Sequence, residues 1–274
     1  MTVHNPFVYS LGGFQISGFG IGVLFAFIIA QIVCARELAR RGHDPAPIRD
    51  LIYWAAGGGI VGAKLYYAIL SEDWGSILSR YGFVFWGGLI GGILAVSFVV
   101  IRKRLGFHRI ADVAGIGIAA AYSVGRTACW AVGDDYGRPW LSPLSVSFPG
   151  GTPPSTVQNM IANFRITPPA GSLPETVLSV HPTQLYETAM GFVMFLLLWR
   201  LRDHQHAEGW LFGVYMVLAG IERFLVEFVR AKDDRFFGVL TMAQIIALVF
   251  ISLGAAWMYA RSATPYPPAS REAE

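Results

Sequence analysis

Apolar residues in this chain come in long runs, without the strict alternation of strands or the narrow stripes of soluble helices. Seven runs, at 16–36, 50–70, 82–101, 111–133, 183–201, 209–229 and 238–260, approach the ~20 residues that a helix needs to cross hydrocarbon. They predict an all-α integral membrane protein with about seven transmembrane helices. The longest connection, 134–182, is rich in Pro, Gly, Ser and Thr. It reads as a small irregular extracytoplasmic head with too few apolar residues for a core of its own. Residues 1–260 then form one transmembrane domain. The segment 261–274, with Pro265, Pro267 and Pro268, reads as a disordered cytoplasmic tail. The first run has no basic region before it and no small-residue cleavage pattern, so it is not read as a removable signal.

Basic residues orient the runs. Arg36, Arg40, Arg41 and Arg49 follow the first run, Arg102, Lys103, Arg104 and Arg109 the third, and Arg200 and Arg202 the fifth. The 71–81 loop sets Arg80 against Glu72 and Asp73, and the 134–182 loop is nearly free of bases. By the positive-inside rule the N-terminus is expected outside and the C-terminus in the cytoplasm. The connection after the sixth run, with Arg230, Lys232 and Arg235 beside Asp233 and Asp234, runs against that rule. Those bases are open to a role in chemistry.

Composition agrees with the pattern. Of 274 residues, 54% are hydrophobic and 14% charged, where a soluble domain is about a quarter charged. The net charge of +3 is spread in short clusters, without the basic face that nucleic acid requires. Cys34 and Cys129 fall near opposite ends of different runs, so neither a disulfide nor a metal site is expected.

Charge inside the runs carries the chemistry. An ionised group in hydrocarbon costs a few kcal/mol on the mildest scales and usually faces an interior site. Arg223, Glu227 and Arg230 are spaced by four and three, which puts them on one helix face. Arg223 and Glu227 either neutralise each other or aim a guanidinium at a phosphate, which it grips through two parallel hydrogen bonds. Arg126 lies two turns before Asp134 and Asp135 and either snorkels to the interface or faces a cavity. Gly125, Gly133 and Gly137 permit tight turns or a close ligand. His181-Pro182-Thr183-Gln184 reads as a helix start, and a helix N-terminus favours an anion, although capping alone explains Pro182 and Thr183. Gln184 and Glu187 share a face. Lys64 either snorkels with Tyr66 and Tyr67 or adds a fourth cation to the cavity. The four-residue glycine spacings at 58/62, 87/91 and 88/92 serve close helix packing or offer backbone to a lipid. No zinc motif, nucleotide-binding glycine loop or Gly-x-Ser-x-Gly elbow occurs, so positioned side chains and a lipid must suffice, without cofactor or metal.

These strings resemble the prolipoprotein diacylglyceryl transferase family over almost the whole chain. The resemblance rests on Asp50-Leu51, Gly87-Gly88-Leu89-Ile90-Gly91, Gly125-Arg126, Gly133 to Arg138, His181-Pro182-Thr183-Gln184-Leu185-Tyr186-Glu187, Arg223-Phe224 with Glu227-Phe228 and Arg230, and Gln244. It implies a multi-pass enzyme of the bacterial cytoplasmic (inner) membrane. The partners implied are phosphatidylglycerol, other membrane lipids and a prolipoprotein signal peptide with its lipobox cysteine. The thiol displaces glycerol phosphate from the lipid and forms a thioether to diacylglycerol. On this resemblance Arg126 and Arg223 bind phosphate, Glu227 and Gln184 support them, and Asp134 takes the acidic signature position. Lys64, Trp86, Gly87, Gly88, Gly133, Gly137 and Glu187 complete the expected substrate-binding set.

The chain also departs from the family pattern. Trp86 stands where a His, the expected base, precedes two glycines. Phe19 and Ala219 stand for tyrosines, and Cys129 for an asparagine. The proton of the thiol then goes to His181, Asp134, Asp135 or Glu222, or arginines acidify the thiol itself. A paralogue with another acceptor and a non-catalytic lipid-binding protein are the alternatives.

Overall fold

Among the described residues, seven long helices form where the apolar runs predict them, and local chemistry sets their ends. The computed structural model describes residues 2–11, 14–79, 82–167, 171–232, 235–236 and 240–262. Helix α1 (Gly18–Arg40) starts where the Ser17 hydroxyl accepts from the Gly20 N–H at 3.3 Å, a side-chain cap for an orphan donor. Helix α2 (Ala46–Ser71) has proline in its first turn. Helices α3 (Phe85–Arg102) and α4 (Phe107–Val132) follow, and α4 is closed by Gly133 at φ 68°, a conformation that glycine adopts without strain. A short helix α5 (Val157–Phe164) lies in the head. Helices α6 (Thr183–Leu201), α7 (Trp210–Val226) and α8 (Met242–Ser262) complete the set. Thr241 and Gln244 bond each other's backbone N–H at 3.2 and 3.1 Å, a reciprocal cap at the start of α8.

Helices α1, α3 and α8 are long and apolar enough to cross a membrane. The others are shorter or carry the polar groups. Burial is inverted relative to a soluble bundle. Helix α6 buries Thr183, Gln184 and Glu187 and exposes Phe192, Val193, Leu196 and Leu197; α3 exposes Leu89, Ile90, Ile93, Leu94 and Phe98. So wide an apolar exterior marks a surface that meets lipid.

Helix α4 is central, against α1, α6 and α7, while α2 pairs with α3 and α7 with α8. The glycine spacings are used for packing. A Cβ added at Gly62 would lie 2.3 Å from the Gly87 carbonyl oxygen, and one at Gly91 2.3 Å from that of Gly58. The α2–α3 hairpin joins the rest mainly at the end away from the head, through a cluster of Cys34, Leu38, Ile48, Leu51, Val99, Val100, Ile110 and Val113.

At that far end Glu37 and Asp112 are fully buried. Arg40 and Arg41 donate to Glu37 at 2.7–2.8 Å, and Arg202 lies 3.9 Å away. Asp112 accepts from the Gly209 and Phe212 N–H groups at 2.8 and 2.9 Å, so a carboxylate of α4 caps the start of α7. Several bases that orient the chain by count are therefore also held in ion pairs.

The head departs from the sequence expectation. It has a core of its own: Tyr136, Val146, Phe148, Met160, Ile166 and Val180, with Ala231 from beyond α7. Tyr136 and Phe148 stack at 5.3 Å. The N-terminal segment is part of it, because Thr2–Val3 pairs in parallel with Val146–Ser147, which pairs antiparallel with Ser179–Val180. Scattered aromatics without a period, completed by distant segments, gave no signal along the chain. Helix α8 runs to Ser262, past the expected boundary at 260; residues 263–274 of the tail, and Arg80, Pro168, Pro169, Asp233 and Asp234, lie outside the described residues.

Candidate functional site

Arg126 projects from the last two turns of α4 and meets carboxylates from two other parts of the chain. Its Nη2 pairs with Glu187 Oε2, and its Nη1 donates to Asp135 Oδ2 at 3.0 Å and to Cys129 Sγ at 3.3 Å. Glu187, one turn into α6, is 1% exposed and forms the hub. Its Oε1 lies 3.8 Å from Arg223, 4.0 Å from Arg230 and 3.4 Å from the Tyr122 hydroxyl. Arg223 donates to Glu227 at 2.5 Å, and Arg230 to Asp135 Oδ1 at 3.0 Å. Three guanidiniums thus face three carboxylates, of which Glu187 and Glu227 are buried and Asp135 is 42% exposed at its side chain. Leaving a buried carboxylate such as Glu187 unpaired costs about 3–5 kcal/mol.

The backbone around this cluster is pinned. Gln184 donates to the Asp134 carbonyl at 2.5 Å and Thr183 to that of Asp135 at 2.6 Å. Gly137 is wedged so closely that an added Cβ would lie 2.5 Å from the Val229 carbonyl oxygen and 2.6 Å from His181 Cβ. Gly133 turns the chain out of α4 at positive φ. Burial, with the charge of Asp135 beside it, pushes Asp134 up to about 6. Burial alone would raise Asp135 too, but Arg230 and Arg126 hold it below the usual carboxylate value.

The expectation of one helix face for Arg223, Glu227 and Arg230 is corrected. Helix α7 stops at Val226. The backbone beyond it is taken by Arg138, whose N–H donates to the Val229 carbonyl at 2.8 Å and whose side chain donates to Arg230 and Lys232 carbonyls at 3.1 and 2.9 Å. Arg230 reaches the cluster from the hydrogen-bonded turn that follows α7, and still lies 3.9 Å from Glu227.

Not every expected site residue joins the cluster. Lys64 donates to the Ser79 carbonyl at 2.6 Å and lies over the Phe83 ring, on the α2–α3 hairpin. Trp86 is 46% exposed beside Phe85. Gly87 and Gly88 lie against α2. His181 stacks on Trp140 at 4.2 Å and its Nδ1 sits 3.3 Å from the Tyr186 hydroxyl; burial lowers its pKa. From the sequence Asp135 is expected only as a proton acceptor and Arg230 only as a neighbour of Arg223 on one face, and Tyr122 is not singled out. The signal for Tyr122 was its position four residues before Arg126, one turn away on the same face.

Four buried atoms of the cluster have no hydrogen-bond partner among the described residues: Arg126 Nε, Gln184 Oε1, Asp134 Oδ1 and Glu227 Oε1. Leaving such groups unmatched is costly, and an oxyanion ligand would answer the Arg126 donor. Ligand atoms of Cys129, Asp134 and Asp135 lie within 4.8 Å of one another, close enough to share a cation. Arg126 already donates to both Cys129 and Asp135, so its charge occupies that position. Converging guanidiniums beside polar acceptors suit an anionic group whose charge grows as a bond to oxygen breaks.

Comparison with known proteins bears on which anion this is. The model of a family described as prolipoprotein diacylglyceryl transferase matches residues 6–260. Proteins named phosphatidylglycerol–prolipoprotein diacylglyceryl transferase are similar along their length. One from Clostridium tetani is 28% identical over 91% of this chain and 95% of its own. One from Geobacter sulfurreducens is 29% identical, covering 91% and 92%, and one from Xanthomonas oryzae pv. oryzae is 31% identical, covering 92% and 89%.

Proposed function

The chain belongs to the prolipoprotein diacylglyceryl transferase family, and from that premise we propose that it transfers diacylglyceryl from phosphatidylglycerol to the lipobox cysteine of prolipoproteins. The observation that carries the reading is the meeting of Arg126, Arg223 and Arg230 around Glu187. In this reading Arg126 and Arg223 grip the phosphodiester, each guanidinium being permanently charged. Glu187, Glu227 and Asp135 orient them, and Gln184 holds the Asp134 loop. As the carbon–oxygen bond breaks, charge collects on the departing glycerol phosphate and the guanidiniums stabilise it. Nothing covalent forms on the protein.

The wider frame of the proposal is seven spans in the cytoplasmic membrane of a bacterium, N-terminus outside, head 134–182 outside, and tail inside. The apolar exterior of α3, α6 and α8 supports it, as do the bases clustered at the far end. The site then lies near the outer surface, where a lipid headgroup and a signal peptide both come.

The test is reconstitution in phosphatidylglycerol with a lipobox peptide. Lipidated peptide and released glycerol phosphate are expected together; absence of both removes the reading. Trp86 favours a second reading, in which the natural acceptor is another nucleophile. If Trp86→His alone confers thioether formation, that second reading replaces the first.

A further inference from the structure

Glu187, Glu227 and Asp135 each have an arginine within 4.0 Å. Glu222, one residue before Arg223 on α7, makes no such pair among the described residues, although it is 7% exposed. Its partner is a hydroxyl: Tyr122 of α4 lies 3.0 Å from Glu222 Oε1 and 3.4 Å from Glu187 Oε1. The other oxygen of Glu187 holds Arg126. A path of polar atoms therefore runs from Glu222 through Tyr122 and Glu187 to the arginines.

A tyrosine hydroxyl has one proton to give. While Glu222 is ionised, Tyr122 donates to it. Once Glu222 carries a proton, Glu222 donates to the Tyr122 oxygen and Tyr122 turns its own proton to Glu187. The pair thus has two arrangements that differ by one proton, and the second adds a hydrogen bond to the carboxylate that holds Arg126.

We propose that Glu222, with Tyr122 as relay, takes the proton of the acceptor thiol. The inference rests on the transferase reading above. The proton leaves sulfur for the Tyr122 oxygen as the Tyr122 proton moves to Glu222. The thiolate, the competent nucleophile, forms the sulfur–carbon bond to diacylglycerol, and the carbon–oxygen bond breaks with its electron pair going to glycerol phosphate. The proton returns through Tyr122 to a phosphate oxygen. A neutral thiol and a phosphodiester monoanion become a thioether and a phosphomonoester monoanion, and the protein ends as it began. The other acceptors left open by the sequence are placed less well. Asp135 is held by two arginines, His181 lies against Trp140, and no hydrogen bond joins the Asp134 side chain to Tyr122 or Glu187 among the described residues.

The titratable and charged groups around Glu222 are Tyr122 and Arg126 from α4, Glu187 from α6, and Arg223 and Tyr215 on α7 itself. Helix α8, packed on α7, has none between Met242 and Met258. The experiment compares wild type, Glu222→Gln, Glu222→Asp and Tyr122→Phe in phosphatidylglycerol vesicles with a lipobox peptide, from pH 6 to 9.5. Glu222→Gln is expected to slow kcat about 100-fold at pH 7 with KM unchanged. Its rate should then climb about tenfold per pH unit toward the thiol's own ionisation near 8.5, where the wild-type profile is flatter. Glu222→Asp should recover most of the rate, and Tyr122→Phe should fall between. A Glu222→Gln rate equal to wild type, or a slow variant with the wild-type pH profile, overturns the proposal and leaves the transferase reading standing. A wild type that makes no product overturns both.

Discussion

Arg126 shows how a single side chain gathers the site. It joins α4 to α6 through Glu187 and to the head through Asp135. Arg126→Ala should therefore lower kcat by about 10²–10³-fold, the usual cost of losing a donor to developing charge, while the protein still inserts; turnover in vesicles checks it. Asp134 gives a test of different sign. Its carboxyl titrates near 6 in the folded protein against about 3.9 in an unfolded chain. A raised carboxyl pKa means that the folded state resists losing the proton, so stability falls as pH rises from about 4 to 6. Asp134→Asn removes that penalty. It should raise the melting temperature relative to wild type at pH 7 and have little effect at pH 3.5. Arg126, Arg223, Glu187 and Glu227 were legible because charge in an apolar run is conspicuous. Lys64 was equally conspicuous and went elsewhere, to Ser79 and Phe83. Hydropathy along the chain gives a residue's depth, and says nothing of its position around the bundle.

At the scale of elements, the paired glycines of α2 and α3 do one job. Gly62→Ala would place a methyl 2.3 Å from the Gly87 carbonyl oxygen, so the two backbones must separate. A loss of about 1–3 kcal/mol is expected from such overpacking, read as a lower melting temperature in detergent. The ends of the long helices were legible to within a few residues, since Ser17, Pro182 and Gly133 are ordinary stop and start residues. The end of α7 was not. Its sequence carries on with helical spacing through Arg230, and tertiary bonds take over the backbone there, from Arg138 to the Val229, Arg230 and Lys232 carbonyls and from the Ala231 N–H to the Tyr136 carbonyl. The head core was hidden for the same reason, because Phe148, Tyr136 and Ala231 meet only after distant segments come together.

The whole molecule has a polar node at each end and an apolar exterior between. The head-side node holds the arginine cluster. The far-side node was overlooked in the sequence because its arginines served to orient the chain, while Glu37 and Asp112 passed as ordinary residues at the ends of apolar runs. That second node has a consequence for the order of synthesis. Arg40 and Arg41 reach Glu37 as soon as the last turn of α1 forms, being three and four residues further along it. Asp112 has Arg41 3.4 Å away from the start, but its two shorter bonds must wait for the N–H groups of Gly209 and Phe212, about a hundred residues later. A nascent chain released at residue 182 would carry Asp112 with Arg41 beside it but those two backbone donors absent, a state that costs about 1–3 kcal/mol for each bond left unmade. In a pulse-chase experiment such a fragment should be degraded faster than one ending at residue 230, which includes the donors; equal lifetimes would mean that Arg41, water or lipid headgroups suffice for the carboxylate in the interim.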